Sequence, residues 1–206
     1  MEQSDTTTLG TLVHFSHFSH FNHFNHNMDK LKQFTSDQLK IVNSSVEMAE
    51  ELVSNFYKMS ASQWLRRRYD IKTLENLSSD EIVNGPFAQI IRYVGQHKNS
   101  SLGSSTYDFY KICLQDHSIC ETLYKFTDLE LFPFTLYIIT HELIHIVRFT
   151  KFLQNFDASP DEKMKEEARV HKNTHEILIP VKIAGLPEVF KFYSNWHTPL
   201  EGLRNT

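Results

Sequence analysis

Residues 138–147 read Ile138-Ile139-Thr140-His141-Glu142-Leu143-Ile144-His145-Ile146-Val147. Around them the chain is apolar on nearly every side: Phe134, Leu136, Tyr137, Phe149 and Phe152 continue the run in both directions. A helix with no polar face belongs at the centre of a fold. Into this one are set two histidines and a glutamate. His141 and His145 are four residues apart, so on a helix they project from one face about a turn apart. That spacing lets two imidazoles ligate one Zn²⁺ at about 2.0–2.1 Å. Glu142 sits about 100° around the helix, beside the same point, where a carboxylate can take a proton from a metal-activated water. Burying these groups is costly unless something pairs them. The two explanations are a metal ion and a set of mutually satisfied core polar groups; the burial favours the metal.

A zinc ion needs a third protein ligand, with a fourth position left open for catalysis. The next helix offers it. Ser159-Pro160-Asp161-Glu162 combines a serine N-cap, a proline in the first turn and a glutamate closing a capping box. Helical pattern continues to about Leu178. On a wheel of about 100° per residue, Met164, Ala168, Val170, Thr174, Ile177 and Leu178 form the apolar side. Glu167 falls near its middle, with His171 one turn on and His175 near its edge. Glu166 falls at the border and is expected to be solvated. The short connection Asn155–Ala158 lets the two helices pack antiparallel, which would turn Glu167 toward His141 and His145. A buried ion pair of Glu167, with Arg148 as partner, is the competing reading. His171 is a fourth ligand or a group that orients one. The metal set is thus His141, His145, Glu167 and His171, with Glu142 as catalytic base and one zinc as the ion, iron being second choice.

The remainder reads as helical. Asp29 to about Met59 carries apolar residues at helical spacing, and Ser60–Leu77 reads as another helix. Pro86 opens a third, with Phe87, Ile90, Ile91 and Val94 on one side. Tyr107–Tyr124 reads as one helix broken near Asp116. Ile177–Leu186, with Pro180 and Gly185, reads as a loop or short extended piece. No alternating strand pattern is legible upstream of His141. The expected fold is mainly α: a helical bundle whose central buried helix packs on a downstream helix carrying Glu167. Its divisions are a disordered His/Phe-repeat tail (1–27), an N-terminal helical region (28–98), a Ser/Gly-rich loop (99–105), the helical metal-site region (106–194) and a C-terminal tail (195–206).

Composition bounds the function. The 206 residues carry a net charge of −4, so no basic field argues for nucleic acid. The two cysteines, Cys113 and Cys120, make neither a disulfide framework nor a Cys-rich zinc site and point to a reducing, cytoplasmic setting. The most apolar run, Leu129–Phe149, holds Glu130, His141, Glu142, His145 and Arg148, too many polar groups for a membrane span. Of the 12 histidines, five lie in HFSHFSHFNHFNH at residues 14–26. A spacing of three keeps neither a helix face nor a strand face; the tract reads as a tandem repeat without fold information, with metal binding as the alternative. Met28 follows the repeat at once and is a candidate start of translation. His97, His117 and His197 have no local pattern.

The motif residues resemble the zincin metallopeptidases, and within them the gluzincin branch, over roughly Ile138–His171. The resemblance implies that His141 and His145 are ligands, Glu142 the base, and Glu167 the third ligand. It implies hydrolysis of a peptide or small amide, bound extended along an edge strand. In the family an acidic residue commonly follows the ligand glutamate by one turn; here that place holds His171. Two other readings use the same residues. Glu142 and His145 also spell the ExxH of a di-iron carboxylate bundle, which would need further acids such as Glu121 and Glu130. A closed four-ligand site including His171 would instead make a non-catalytic, metal-stabilised interaction protein.

Overall fold

The computed structural model describes residues 14–16, 31–60, 69–96 and 106–194. The elements are β1 (His14–Ser16), α1 (Ser36–Phe56), β2 (Tyr69–Lys72), β3 (Ala88–Gln96), β4 (Thr106–Leu114), α2 (Asp116–Lys125), α3 (Leu131–Thr150), α4 (Pro160–Leu178) and α5 (Leu186–Ser194). Two short 3₁₀ turns, Leu74–Asn76 and Ser79–Glu81, lie between β2 and β3.

The all-helical expectation is overturned. The fold is mixed α/β, with one sheet in the order β1-β3-β4-β2. β3 and β4 pair antiparallel with Ile90 opposite Ile112, and β2 runs parallel to β4. The helix expected after Pro86 is β3, and the front half of the helix expected over Tyr107–Tyr124 is β4. Over part of their length both strands are buried on both faces: Ile90, Ile91, Ile112, Cys113 and Leu114 are fully buried, while Arg92, Tyr93, Val94 and Lys111 are half-buried. A strand buried on two faces loses its polar alternation and reads as a continuous apolar run, which periodicity cannot tell from a buried helix. Of the expected tail, His14–Ser16 is described, as the short strand paired antiparallel to Gln89–Ile91. The rest of the repeat, residues 61–68, the 99–105 loop, His97, His197 and the 195–206 tail lie outside the described residues.

Each sheet face has its own cover. Tyr110 on one face stacks on Phe149 of α3, ring centroids 5.7 Å apart. Phe87, just before β3, meets Phe134 edge-on at 5.0 Å. The face bearing Gln89, Tyr93 and Lys111 is closed by Glu81. Its carboxylate accepts from Tyr93 Oη (2.7 Å) and Lys111 Nζ (2.5 Å), and its carbonyl accepts from the Gln89 and Gln115 side-chain amides. Burial alone would raise this carboxyl; the Lys111, Ser78 and Tyr93 hydrogen bonds outweigh it and bring it down to about 2.

Buried along most of its length, α3 is the hub of the fold. α1 begins at a capping box between Thr35 and Gln38 and packs on α3 through Ala49, Val53 and a polar contact, Ser45 Oγ to Thr135 Oγ1 at 2.8 Å. α4 starts at the Ser159–Glu162 capping box, as the sequence predicts. It lies antiparallel to α3: Arg148 meets Glu166, His145 meets Glu167, and Tyr137 meets His171. α5 is an element the sequence reading lacks. Gly185, at φ +83°, turns the chain into it, and a Cβ there would stand 2.8 Å from Pro133 Cγ. Among the described residues no helix is long and apolar enough to cross a membrane.

Candidate metal centre

His141 and His145 emerge from one face of α3 as their spacing dictates, with Nε2 atoms 3.2 Å apart. Glu167 projects from α4 between them. One carboxylate oxygen lies 3.4 Å from His141 Nε2 and the other 3.3 Å from His145 Nε2. Zinc ligands at about 2.0–2.1 Å in tetrahedral arrangement stand about 1.63 bond lengths apart, or about 3.3–3.4 Å. The His141–His145 separation is close to one edge of such a tetrahedron, and the Glu167 carboxylate faces both nitrogens at a similar distance, each through a different oxygen. His171 is also close: one ligand atom each from His141, Glu167 and His171 lie within 4.8 Å of one another, a cluster that could hold a metal ion. The two triads share His141 and Glu167.

The supports of the two outer histidines differ. His145 Nδ1 lies 3.1 Å from Gln154 Oε1. An amide oxygen only accepts, so Nδ1 carries a proton in this contact. His171 Nδ1 instead lies 3.0 Å from the Tyr137 hydroxyl. Tyr137 is itself fully buried, stacked on Tyr193 with centroids 4.0 Å apart.

Glu142 is 4% exposed, and its Oε2 has no hydrogen-bond partner among the described residues. Burial pushes its carboxyl up to about 8, with His145 pulling it down and Glu167 adding to the rise. A carboxyl near neutrality is suited to both taking and returning a proton. Burial opposes charging of His145, but the Glu167 carboxylate outweighs it and raises the imidazole's pKa. Beside these groups is a cavity of about 20 Å³ lined by Ala88, Tyr137, His141, Glu142, His171 and Tyr193. That is room for on the order of one water. On the far side of Gln154 an open cleft of about 300 Å³ is lined by Arg92, Tyr110, Phe149, Leu153 and Gln154.

All five residues singled out in the sequence thus meet at one place, and the strand absent from the sequence reading borders it through Phe87 and Ala88. Two assignments on α4 change. Glu166, expected in solvent, is buried and paired with Arg148 and with Arg169 at 2.6 Å. Glu167 has no need of Arg148 and is 21% exposed at the side chain. Glu121 and Glu130, the extra acids a di-iron site would require, are exposed. Gln154 was missed; a loop glutamine has no sequence signal, and only its 3.1 Å contact with His145 reveals it. Comparisons with family models, with curated proteins and with solved structures give no match.

Proposed function

We propose that this chain is a zinc-dependent hydrolase acting on a peptide or amide carbonyl, with His141, His145 and Glu167 holding the ion and Glu142 as general base. The single observation that carries this reading is the convergence of His141 Nε2 and His145 Nε2, 3.2 Å apart, on the Glu167 carboxylate, whose two oxygens lie 3.4 Å from the one and 3.3 Å from the other. A cation among two imidazole nitrogens and a carboxylate would give all three largely buried groups a partner at once. Imidazole and carboxylate donors without thiolate suit zinc. A zinc ion there would lower the pKa of a coordinated water toward neutrality and polarise a carbonyl.

The chain's own residues do the rest. Gln154 fixes the His145 ring so that Nε2 faces His141 and Glu167. Glu142, its pKa raised by burial, takes a proton from the water in the adjoining cavity as the water's oxygen adds to the carbonyl carbon. It then delivers that proton to the departing nitrogen as the C–N bond breaks. The 300 Å³ cleft, with Phe149 and Leu153 in its wall, offers space for a substrate side chain. Glu142→Gln tests the assignment: it should retain zinc while hydrolysis of a peptide library falls by at least about 100-fold. Undiminished hydrolysis would remove Glu142 from the base role. A closed, non-catalytic site predicts no hydrolysis in either protein.

A further inference from the structure

We propose that the outer edge of β3 is a docking site for the chain's own His/Phe repeat, with four successive units of the repeat as interchangeable occupants. Its occupancy does not depend on an ion at the metal centre. β3 pairs with β4 along one edge, and among the described residues β1 is the strand on the other. The β1 pairing covers Gln89–Ile91, and all three of these residues are fully buried. Backbone N–H and C=O groups at a buried edge need partners, and an open edge also invites pairing with other chains. A strand laid along the edge meets both needs through main-chain hydrogen bonds, while side-chain register decides which strand fits.

That register is one the repeat offers four times. His14 stands opposite Ile91, Phe15 opposite Ile90 and Ser16 opposite Gln89. An aromatic residue opposite a β-branched one is a favourable cross-strand pair. A slip of one residue would carry Phe15 to the opposite face of the sheet. A slip of three instead brings His17, Phe18 and Ser19 to the same three positions, and further slips bring His20, Phe21 and Asn22, then His23, Phe24 and Asn25. Residue type recurs at each position, the last holding either of two small polar residues. The paired segment is three residues long, the length of one unit. Over so short a run, a period of three keeps its face. The fifth histidine, His26, is followed by Asn27 and begins no unit.

The chain that follows has the reach for all four. β1 is antiparallel to β3, so the chain leaves Ser16 toward the Ala88 end. Ala88 pairs with Leu114 at the end of β4, and just beyond it Asp116 accepts from the backbone N–H of Phe34 at 3.0 Å. The tail is thus anchored again at the end of the sheet from which it departs. From β1 to β4 is two strand spacings, about 10 Å. With Asn25 opposite Gln89, residues 26–33 remain to cross that interval. Extended, they span about 26 Å.

Hydrogen exchange in the full-length chain, at the Gln89–Ile91 amides that point away from β4, tests the proposal. Glycine and serine keep the length of a unit and disfavour a strand. Replacing one unit (His14→Gly, Phe15→Ser, Ser16→Gly) should change protection by less than about twofold, because three equivalent units remain. Replacing all four with the same sequence should lower it by at least about tenfold. Four further variants, each keeping one unit (14–16, 17–19, 20–22 or 23–25), should all restore it, and these decide the matter even where the variant with none does not fold. Full loss of protection on replacing 14–16 alone, or rescue by that unit alone, would overturn the proposal in favour of one fixed register. Unchanged protection with all four replaced would show that the repeat does not hold the edge. Protection that falls on dilution would assign the strand to a second copy and overturn the pairing within one chain.

Discussion

Replacing Glu166 with alanine tests the α3–α4 contact that sets Glu167 in place. Glu166 and Arg148 are 8% and 10% exposed at their side chains, and Arg169, 56% exposed, reaches the same carboxylate at 2.6 Å. The Arg169 arm is a surface contact worth about 0–1 kcal/mol. The Arg148 arm is different in kind. Removing Glu166 leaves the Arg148 guanidinium buried without its counter-charge, and breaking a buried pair in this way costs about 3–5 kcal/mol. For a chain of this size that is roughly 6–20 °C in melting temperature. The assay is urea unfolding of the zinc-free protein, with Arg148→Met/Glu166→Met as control. The double variant removes both charges and should recover to within about 1–2 kcal/mol of wild type. A loss below about 1 kcal/mol in Glu166→Ala would place the pair in solvent. It would refute the helix orientation that turns Glu167 toward the histidines.

Acid should act through Glu81. Its folded pKa is depressed to about 2 from an unfolded value of 4.5, so its contribution is present above pH 4.5 and fades as pH falls toward 2. The stability difference between wild type and Glu81→Gln in zinc-free protein should shrink across that window; a difference constant from pH 5 to 2.5 would contradict the role given to Lys111 and Tyr93. Gly185→Ala combines a positive φ with a 2.8 Å approach to Pro133. It should cost about 1–3 kcal/mol in unfolding measurements, and an unchanged midpoint would show that α5 docks differently.

The parts of this molecule legible in its sequence are those where one residue type has one physical use. His141 and His145 at helical spacing in an apolar run, and Ser159-Pro160 with Glu162 at a helix start, appear in the structure where the sequence predicts them. The sheet was not legible because Ile90-Ile91 and Ile112-Cys113-Leu114 are buried on both faces, so no polar residue marks an outward side. In β3 the residues Phe87, Ile90, Ile91 and Val94 even mimic helical spacing. On α4, an ideal wheel placed Glu166 and Glu167 by angle alone. It cannot see Arg148, which draws Glu166 into the interior. α5 did leave a trace, Gly185-Leu186-Pro187-Glu188, a turn glycine followed by proline and an acid in a first turn. The contacts of His171 with Tyr137 and of His145 with Gln154 are tertiary facts without a local sequence pattern.

Metal content bears most directly on the central claim. Full-length protein prepared without chelator, loaded with zinc and freed of excess ion, should hold one zinc per chain by elemental analysis. Glu167→Ala, which removes the carboxylate that faces both imidazoles, should lose it and lose the zinc-dependent gain in melting temperature together. Wild-type protein that holds no zinc, or Glu167→Ala that holds one as tightly as wild type, would contradict the account.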